Sequence, residues 1–266
     1  MVTVGLKRAL RVGAFLLPRH RNLRLPLAVL FGSLLATTAC AVSETEQIRH
    51  VIDGDTVVRA DGRHVRLIGI NTPETGKDGA PDQPLARAAR ARLVELVHQQ
   101  RVTLVFEQER EDHHGRLLAR VQLADGSDAG ERLLREGLAW TIAVPPNLEK
   151  LSTNLAVESE ARAAGRGVWR EPAYVPKPAH NLTRRDTGFQ LIEGRIRRTG
   201  QGRHLMYFDL TPQVTLTVPR DHWKKYFKGK PAEWVGRQVI ARGWLTESRD
   251  KLRLRVAHPA MLTWVP

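Results

Sequence analysis

Alternating apolar residues interrupted by Asp-Gly pairs are the feature that most limits the fold of this chain. Between residues 48 and 70 apolar side chains recur at strand spacing, and Asp53-Gly54-Asp55 and Asp61-Gly62-Arg63 separate them. Asp-Gly dipeptides favour the tight turns of β-hairpins, because these residues tolerate positive φ. The pattern therefore predicts a short antiparallel meander, with Asp55 near the start of a strand.

The region after the meander mixes helical and strand periods. Thr72-Pro73-Glu74 ends the meander, because the residue before a proline is pushed out of the helical region of backbone space. In chain order we predict a helix at 85–97, strands at 102–106 and 117–123, and helices at 130–138 and 148–164. Strands followed by helices in this order indicate an α+β domain, which we assign to residues 44–170.

A second alternating region follows a stretch of different composition. Residues 171–187 contain three prolines and few large apolar side chains, which is typical of a linker. From residue 188 to 266 the pattern predicts three strands, a short helix and further strands, the order of an OB-fold. We therefore predict a second, smaller OB-like β-barrel domain.

Charge is distributed unevenly along the chain. The formal net charge of +14 divides into +6 for residues 1–43, −2 for residues 44–183 and +10 for residues 184–266. An excess of positive charge favours a polyanionic partner, and here it belongs mainly to the C-terminal region. The single cysteine excludes an intramolecular disulfide framework and a cysteine-rich zinc site.

Four of the six tryptophans lie in this basic C-terminal region, and they allow three interpretations. OB-folds bind single strands with aromatic platforms in basic grooves, which favours nucleic-acid binding. Alternatively, the tryptophans form a core under a solvated charged face, or the charge binds anionic polymers or lipid headgroups of the cell envelope. The four residues are Trp223, Trp234, Trp244 and Trp264.

The N-terminal region has the organisation of an export signal. Basic residues precede an apolar run at 25–36, and small residues follow it. The run is shorter than the roughly 20 apolar residues that span a bilayer. We predict an exported protein that is periplasmic, secreted or lipid-anchored in a bacterial envelope. Cys40 ends a TTAC sequence that resembles a lipoprotein box and is the candidate lipidation site; cleavage after Ala39 or an uncleaved membrane anchor are the alternatives.

The middle region carries the residues suited to chemistry on phosphate. Asp55, Asn71 and Glu74 are hard oxygen donors near strand ends, and such donors favour Ca²⁺ or Mg²⁺. Arg66 and Arg116 offer planar forks of donors that match pairs of phosphate oxygens. A metal, two arginines and a carboxylate that takes a proton from water would suit phosphodiester hydrolysis.

Three stretches of this region resemble the motifs of the thermonuclease (staphylococcal nuclease) family, in that family's order and spacing. They are Ile52-Asp53-Gly54-Asp55-Thr56, Arg66-Leu67-Ile68-Gly69-Ile70-Asn71-Thr72-Pro73-Glu74 and Asp112-His113-His114-Gly115-Arg116. The resemblance covers about residues 48–170. It implies a five-stranded OB barrel with three helices. It also implies a Ca²⁺-dependent nuclease that cleaves DNA and RNA with little sugar specificity and leaves 3′-phosphates.

The resemblance also implies roles for individual residues. Arg66 and Arg116 would grip the scissile phosphate, and Glu74 would be the general base. Asp55, Asn71 and the Thr72 carbonyl would hold calcium. Read from the residues alone, Asp55 also suits a turn and Asn71 a local cap.

Three departures from the family pattern affect the expected site. Asn71 replaces a metal-binding Asp, so calcium affinity should fall or metal preference should shift. His113 and His114 replace a Lys-Tyr pair, and we expect them to bind substrate in place of a missing phosphate donor, although a solvated loop pair is the alternative. Two expected tyrosines are missing from Trp140-Thr141-Ile142-Ala143-Val144-Pro145.

Two alternatives to an enzyme remain at this point. One is a catalytically weakened nucleic-acid-binding protein on a nuclease scaffold, and the other is a cell-envelope interaction protein that acts through its basic domain. The complete set of Arg66, Glu74 and Arg116 favours the enzyme. The expected partners are DNA and RNA substrates, with membrane attachment through the N-terminus. The sequence points to no protein partner.

Overall fold

The N-terminal alternating region folds into a closed barrel. The computed structural model describes residues 43–76, 79–248 and 250–265. In chain order the first elements are β1 (Ser43–Val51), β2 (Thr56–Arg59), β3 (His64–Leu67), β4 (Ile70–Asn71), α1 (Ala86–Val97), β5 (Arg101–Glu111), β6 (Leu117–Gln122), α2 (Ala129–Arg135), β7 (Trp140–Thr141) and α3 (Leu151–Ala163). We call this part the barrel domain.

The strand order of the barrel is β1-β2-β3-β6-β5, and β5 closes the circle by pairing with β1. All neighbours are antiparallel except β3 and β6, which are parallel. The fold predicted for this domain, a five-stranded OB barrel with three helices, is confirmed. Its core contains apolar side chains from the strands and all three helices, such as Ile48, Leu93, Leu104, Leu133 and Val157.

Two features of the barrel domain differ from the sequence expectation. Strand β5 continues to Glu111, beyond the predicted end at residue 106, because it pairs with β6 again after a register shift between Phe106 and Glu111. A separate two-stranded sheet of β4 and β7 pairs Ile70 with Thr141 and Asn71 with Trp140. Strands of two residues are too short to produce a periodic signal.

The C-terminal region forms a second sheet. Its elements are β8 (Lys177–Pro178), β9 (Gly188–Arg195), β10 (Arg198–Gln201), β11 (Leu205–Asp209), β12 (Val214–Pro219), α4 (Arg220–Tyr226), β13 (Gln238–Ser248), β14 (Lys251–Arg255) and β15 (Leu262–Val265). The order is β10-β11-β12-β14-β13-β9-β8, and β15 also pairs with β13. We call residues 188–265 the C-terminal domain.

The two domains share one ladder order. Only two residues separate β9 from β10, so together they correspond to one interrupted first strand. With that correspondence, both sheets run first-second-third-fifth-fourth-first, and in both the third and fifth strands are parallel. The OB-like character of the C-terminal domain remains a prediction, and this order is the observation that supports it.

The C-terminal core extends into the barrel domain. Ile142 and Ala143 belong to the same apolar cluster as Phe208, Trp234 and Leu254. The backbone N–H of Ala143 also donates to Met261 Sδ at 3.1 Å. The segment after β7 is therefore part of the C-terminal core, while the barrel has a separate apolar cluster of its own.

A buried ion pair crosses the same junction. Arg242 Nη1 on β13 lies 2.7 and 2.8 Å from the two carboxylate oxygens of Glu158 on α3. Glu158 Oε1 also accepts the backbone N–H of Thr141 at 2.6 Å. Because both charged side chains are almost buried, each depends on the other for compensation.

The segment predicted as a linker is packed against both domains. Strand β8 pairs in parallel with β9. Tyr174 Oη donates to the carbonyl of Pro84 at 2.6 Å, and its ring meets Trp140 edge to face. The predicted boundaries at 44–170, 171–187 and 188–266 remain predictions.

The predicted export segment, including Cys40, lies outside the described residues. Within the ranges that the structure describes, none of the helices combines the length and the apolar character needed to cross a membrane.

Candidate active site

One cleft of about 770 Å³ brings most of the predicted site residues together. Those that line it are Asp55, Arg66, Asn71, Glu74, His113, His114 and Arg116. Thr72 lies against this group through its contacts with Asp55. The side chains come from the β1–β2 turn, from β3 and β4 with the segment that follows, and from the β5–β6 turn.

The β1–β2 turn is held in place by a close approach at Gly54. A Cβ at this position would lie 2.6 Å from Thr72 Oγ1 and 2.7 Å from the Ala89 Cβ of α1, so only glycine fits. The adjacent Asp55 Oδ2 accepts the backbone N–H of Thr72 at 2.9 Å and its hydroxyl at 3.1 Å. The turn, the Thr72 segment and α1 are thereby packed together.

Arg66 lies at the centre of this group and is almost buried. Its Nη1 donates to the carbonyls of Leu67 at 2.6 Å and Ile70 at 3.0 Å. Its Nη2 lies 3.0 Å from both Asn71 Oδ1 and Asp55 Oδ2. Four acceptors thus fix the guanidinium and compensate its buried charge.

Burial raises the pKa of the Asp55 carboxyl to about 6. The positive charge of Arg66 and the hydrogen bond from Thr72 N–H oppose this rise, and the nearby charges of Asp53 and Glu74 add to it. The pKa of Asp55 therefore reports a carboxylate that has lost most of its water. A cation bound there would favour the ionised form.

Arg116 is oriented by a carboxylate within its own turn. Its Nε and Nη2 each lie 2.8 Å from Asp112 Oδ2, and Asp112 Oδ1 accepts the backbone N–H groups of Arg116 and His114. Burial alone would raise the pKa of Asp112, but these hydrogen bonds lower it below its usual range. Asp112 is therefore an ionised anchor for Arg116.

Glu74 follows the buried Thr72 segment and is held through its backbone. Its N–H donates to Gln83 Oε1 at 2.9 Å, and its carbonyl accepts Gln83 N–H at 3.0 Å. The side chain is half-buried and lines the cleft with Arg66 and Arg116. A carboxylate at this position can accept a proton from a water molecule in the cleft.

The two predicted histidines lie at the rim of the cleft. His113 and His114 are exposed, and their ring centroids are 3.8 Å apart. They are therefore accessible to a phosphate or a base, as the prediction requires, but they are not fixed by burial.

The predicted metal ligands are of the chemical type that hard cations prefer, and one of them is charged. Asp55 carboxylate, Asn71 Oδ1 and the Thr72 carbonyl are all oxygen donors, and Asn71 Nδ2 lies 3.2 Å from that carbonyl. Among the described residues there is no group of three or more His, Cys, Asp or Glu side chains that could hold a metal. A cation here would need water or substrate oxygens to complete its coordination.

Sequence reasoning missed several residues of the cleft. The role of Asp112 could have been inferred from its i,i+4 spacing to Arg116. The position of Asn147 could not have been inferred, because its side chain forms both of its hydrogen bonds with the backbone of Glu109, 38 residues away. Trp244 and Thr246 of the C-terminal domain also line the cleft, and no local pattern could have placed them there.

Comparison with known proteins agrees with this geometry. Residues 64–171 match the model of the family described as staphylococcal nuclease homologue. A thermonuclease of Staphylococcus intermedius is 37% identical over 129 residues, which cover 47% of this chain and 76% of that protein. A thermonuclease of Staphylococcus hyicus is 33% identical over 133 residues, covering 48% of this chain and 78% of that protein. Endonuclease YncB of Bacillus subtilis is 37% identical over 135 residues, covering 49% of this chain but only 64% of that protein.

Proposed function

The chain belongs to the staphylococcal nuclease family, a family of nucleases, and from this premise we propose that it is a divalent-metal-dependent endonuclease. We propose Ca²⁺ as the metal, DNA and RNA as substrates, and 3′-phosphates as products. The single observation that carries the proposal is that Arg66, Glu74 and Arg116 meet in one cleft beside a group of oxygen donors.

The arginines would stabilise the reacting phosphate. Hydrolysis passes through a phosphorus that carries extra negative charge, and pre-positioned donors stabilise that charge most effectively. Asp112 holds Arg116 from one side, and four acceptors hold Arg66. Arg116 is therefore held ready through its Nε and Nη2, whereas both Nη groups of Arg66 are already engaged, so Arg66 would act on the phosphate mainly through its charge.

Glu74 would accept the proton of the attacking water. It lies in the cleft with both arginines, so a water bound beside it would face a phosphate stabilised by their positive charge. General base catalysis of this kind contributes about 10²–10⁴-fold to a rate.

The balance of charge in the cleft supports a cation. Five acidic side chains line it together with the two arginines: Asp53, Asp55, Glu74, Glu109 and Asp112. Without a bound cation these carboxylates would repel a phosphate. Asp55, Asn71 and the Thr72 carbonyl would hold the ion, which would supply positive charge next to the phosphate.

The direct test is cleavage by the purified full-length chain. Single-stranded DNA and RNA are incubated with Ca²⁺, with Mg²⁺ or with a chelator, beside Glu74→Gln and the exposed control Glu160→Gln. We expect metal-dependent cleavage that Glu74→Gln loses and the control keeps, and 3′-ends that become extendable only after phosphatase treatment. Absence of cleavage with every cation would overturn the proposal.

One observation favours a second candidate, a nucleic-acid-binding protein with weakened catalysis. Asp55 is the only charged group among the three predicted metal ligands, because Asn71 is neutral. Binding of single-stranded DNA without cleavage, unchanged by Glu74→Gln, would support this candidate.

We also propose export to the cell envelope, on the basic and apolar N-terminal segment. Fractionation of cells that express the full chain tests the location. Cys40→Ser tests lipidation, since loss of the protein from the membrane fraction is expected only if Cys40 is the anchor.

A further inference from the structure

Trp244 of the C-terminal domain stands in the wall of the barrel domain's cleft. It lines that cleft together with Arg66, Glu74 and Arg116. All six tryptophans lie within the described residues, and Trp244 alone is exposed, at 39%. Trp234 is buried, and Trp223 and Trp264 pack against it, so the other C-terminal tryptophans serve the core. Trp244 therefore presents a large aromatic surface to the space where substrate would bind.

The indole of Trp244 is held by a row of aromatic rings. Its neighbour across the β9–β13 ladder is Phe189, which meets it edge to face with centroids 5.3 Å apart. Phe189 in turn packs on the buried Trp140 at 5.2 Å, and Trp140 pairs with Asn71 in the β4–β7 sheet. The three rings thus connect the Trp244 indole to β4, the strand that carries the predicted metal ligand Asn71.

The cleft has a polar part and an apolar part, which suit the two parts of a nucleotide. The acids and arginines described above form the polar part. Leu118, Ile142 and Val144 line the cleft as well, and Val144 is exposed. The segment from Trp140 to Pro145 supplies no tyrosine, and among the described residues Trp244 is the one Trp, Tyr or Phe side chain that lines the cleft.

We propose that Trp244 is a nucleobase-binding residue that stacks on the base next to the scissile phosphate of a single-stranded substrate. This inference rests on the proposed nuclease function and assigns part of the substrate site to the C-terminal domain. A free base face is available in a single strand and not within a duplex stack. Thr246 lies two residues further along the same strand and also lines the cleft.

The test measures binding in the full-length Glu74→Gln background, so that the substrate remains intact. The probe is a labelled single-stranded oligodeoxynucleotide short enough to bind in one register, and its affinity is measured by fluorescence anisotropy with Ca²⁺. Trp244→Leu keeps an apolar side chain against Phe189 and removes the aromatic face, and Trp244→Phe keeps an aromatic ring. Trp264→Leu is the matched control outside the cleft.

We expect Trp244→Leu to weaken binding about tenfold, Trp244→Phe to recover most of that affinity, and Trp264→Leu to leave affinity unchanged. A probe with an abasic residue at the stacking position should bind about tenfold more weakly to the protein with Trp244 and no more weakly to Trp244→Leu. Thermal unfolding of each variant verifies that the fold is retained.

The inference is overturned if Trp244→Leu binds as well as the protein with Trp244, or if every abasic probe weakens both proteins equally. Cleavage assays with Glu74 restored separate this result from the parent proposal. Cleavage without any Trp244 effect overturns the base subsite alone. A Trp244 effect without cleavage overturns the nuclease and keeps the subsite.

Discussion

The barrel domain and the C-terminal domain share a ladder order but place their polar groups differently. Among the described residues, the buried ionisable side chains are Asp53, Asp55, Arg66 and Glu158, all in the barrel domain. Among its hydroxyl, amide and charged side chains the C-terminal domain fully buries only Thr215 and Thr217, and its Arg242 is nearly buried against Glu158 at the junction. Its excess charge of +10, counted over residues 184–266, lies outside an apolar core.

This difference indicates separate roles for the two domains, catalysis in the barrel domain and electrostatic attraction of the substrate by the C-terminal domain. Buried charges that are fixed by hydrogen bonds are costly to fold around, and they are found where a protein must act on charge in the absence of bulk water. Exposed cations cost little and act at a distance. We therefore expect the barrel domain to determine the rate of cleavage and the C-terminal domain to determine how substrate is held.

The largest expected effect concerns the rate. Glu74→Gln should lower kcat by about 10²–10⁴-fold, because the carboxylate that accepts the proton of water is removed. Affinity for single-stranded DNA should stay within a few-fold. Steady-state and single-turnover kinetics measure the rate, and anisotropy measures the affinity. If the variant keeps its kcat, the Glu74 carboxylate does not take part in the rate-limiting step, and the assignment of catalysis to the barrel domain loses its main support.

The second prediction compares the two arginines of the cleft. Arg66→Ala should lower the free energy of unfolding by about 3–5 kcal/mol, because it leaves Asp55 buried without its counter-charge. Arg116→Ala should cost no more than about 1 kcal/mol, since Arg116 and its partner Asp112 are partly exposed. Urea denaturation measures both values. Equal losses of unfolding free energy in the two variants would show that the burial of an arginine does not determine how much its removal destabilises the protein.

The third prediction tests the junction between the domains. Arg242→Ala should destabilise the chain by about 3 kcal/mol, because Glu158 would remain buried and unpaired. Arg184→Ala, which breaks exposed ion pairs with Glu247 and Asp250, serves as the control and should change stability by less than about 1 kcal/mol. Denaturation should remain a single transition in the unmutated chain. Two separate transitions there would show that the junction contacts do not couple the unfolding of the two domains.

The smallest expected effect concerns salt. Arg253 and Arg255 are two basic residues of β14 in the C-terminal domain. Neutralising both should reduce the slope of log affinity against log salt by about 1.4, because each single-strand phosphate that is no longer neutralised reduces it by about 0.7. Arg63→Gln on the barrel domain is the control, and its slope should not change. Titrations at several salt concentrations measure the slope. An unchanged slope in the double variant would show that other basic residues neutralise the phosphates of the substrate.

Local signals in the sequence were sufficient for the barrel and for the positions of its motifs. The Asp-Gly turns fix hairpins over a few residues, and Gly62 at the second turn adopts a φ of +87°. The carboxylate that orients Arg116 is also local, four residues away. Predictions of this kind depend only on neighbours in the chain.

The interactions that complete the site are not local. The carbonyls of Leu67 and Ile70 that hold Arg66 are backbone groups, which no pattern of side chains reveals. Trp244 reaches the cleft only because β9 pairs with β13 and Phe189 packs on Trp140. Among four tryptophans in a basic region, the sequence offered no means to distinguish the one in the cleft from those in the core.

The packing of Ala143 against Met261 has a consequence for the order in which the chain is made. These residues are 118 positions apart. At roughly 5–20 residues per second, Ala143 and Ile142 would wait about 6–24 s for the strands that cover them. During that interval Ile142 and Ala143 of the nascent barrel domain are exposed to solvent. A chaperone would need to cover them, or the chain would need to stay unfolded until its synthesis is complete. The chain would therefore reach its stable state only after synthesis of its last strands.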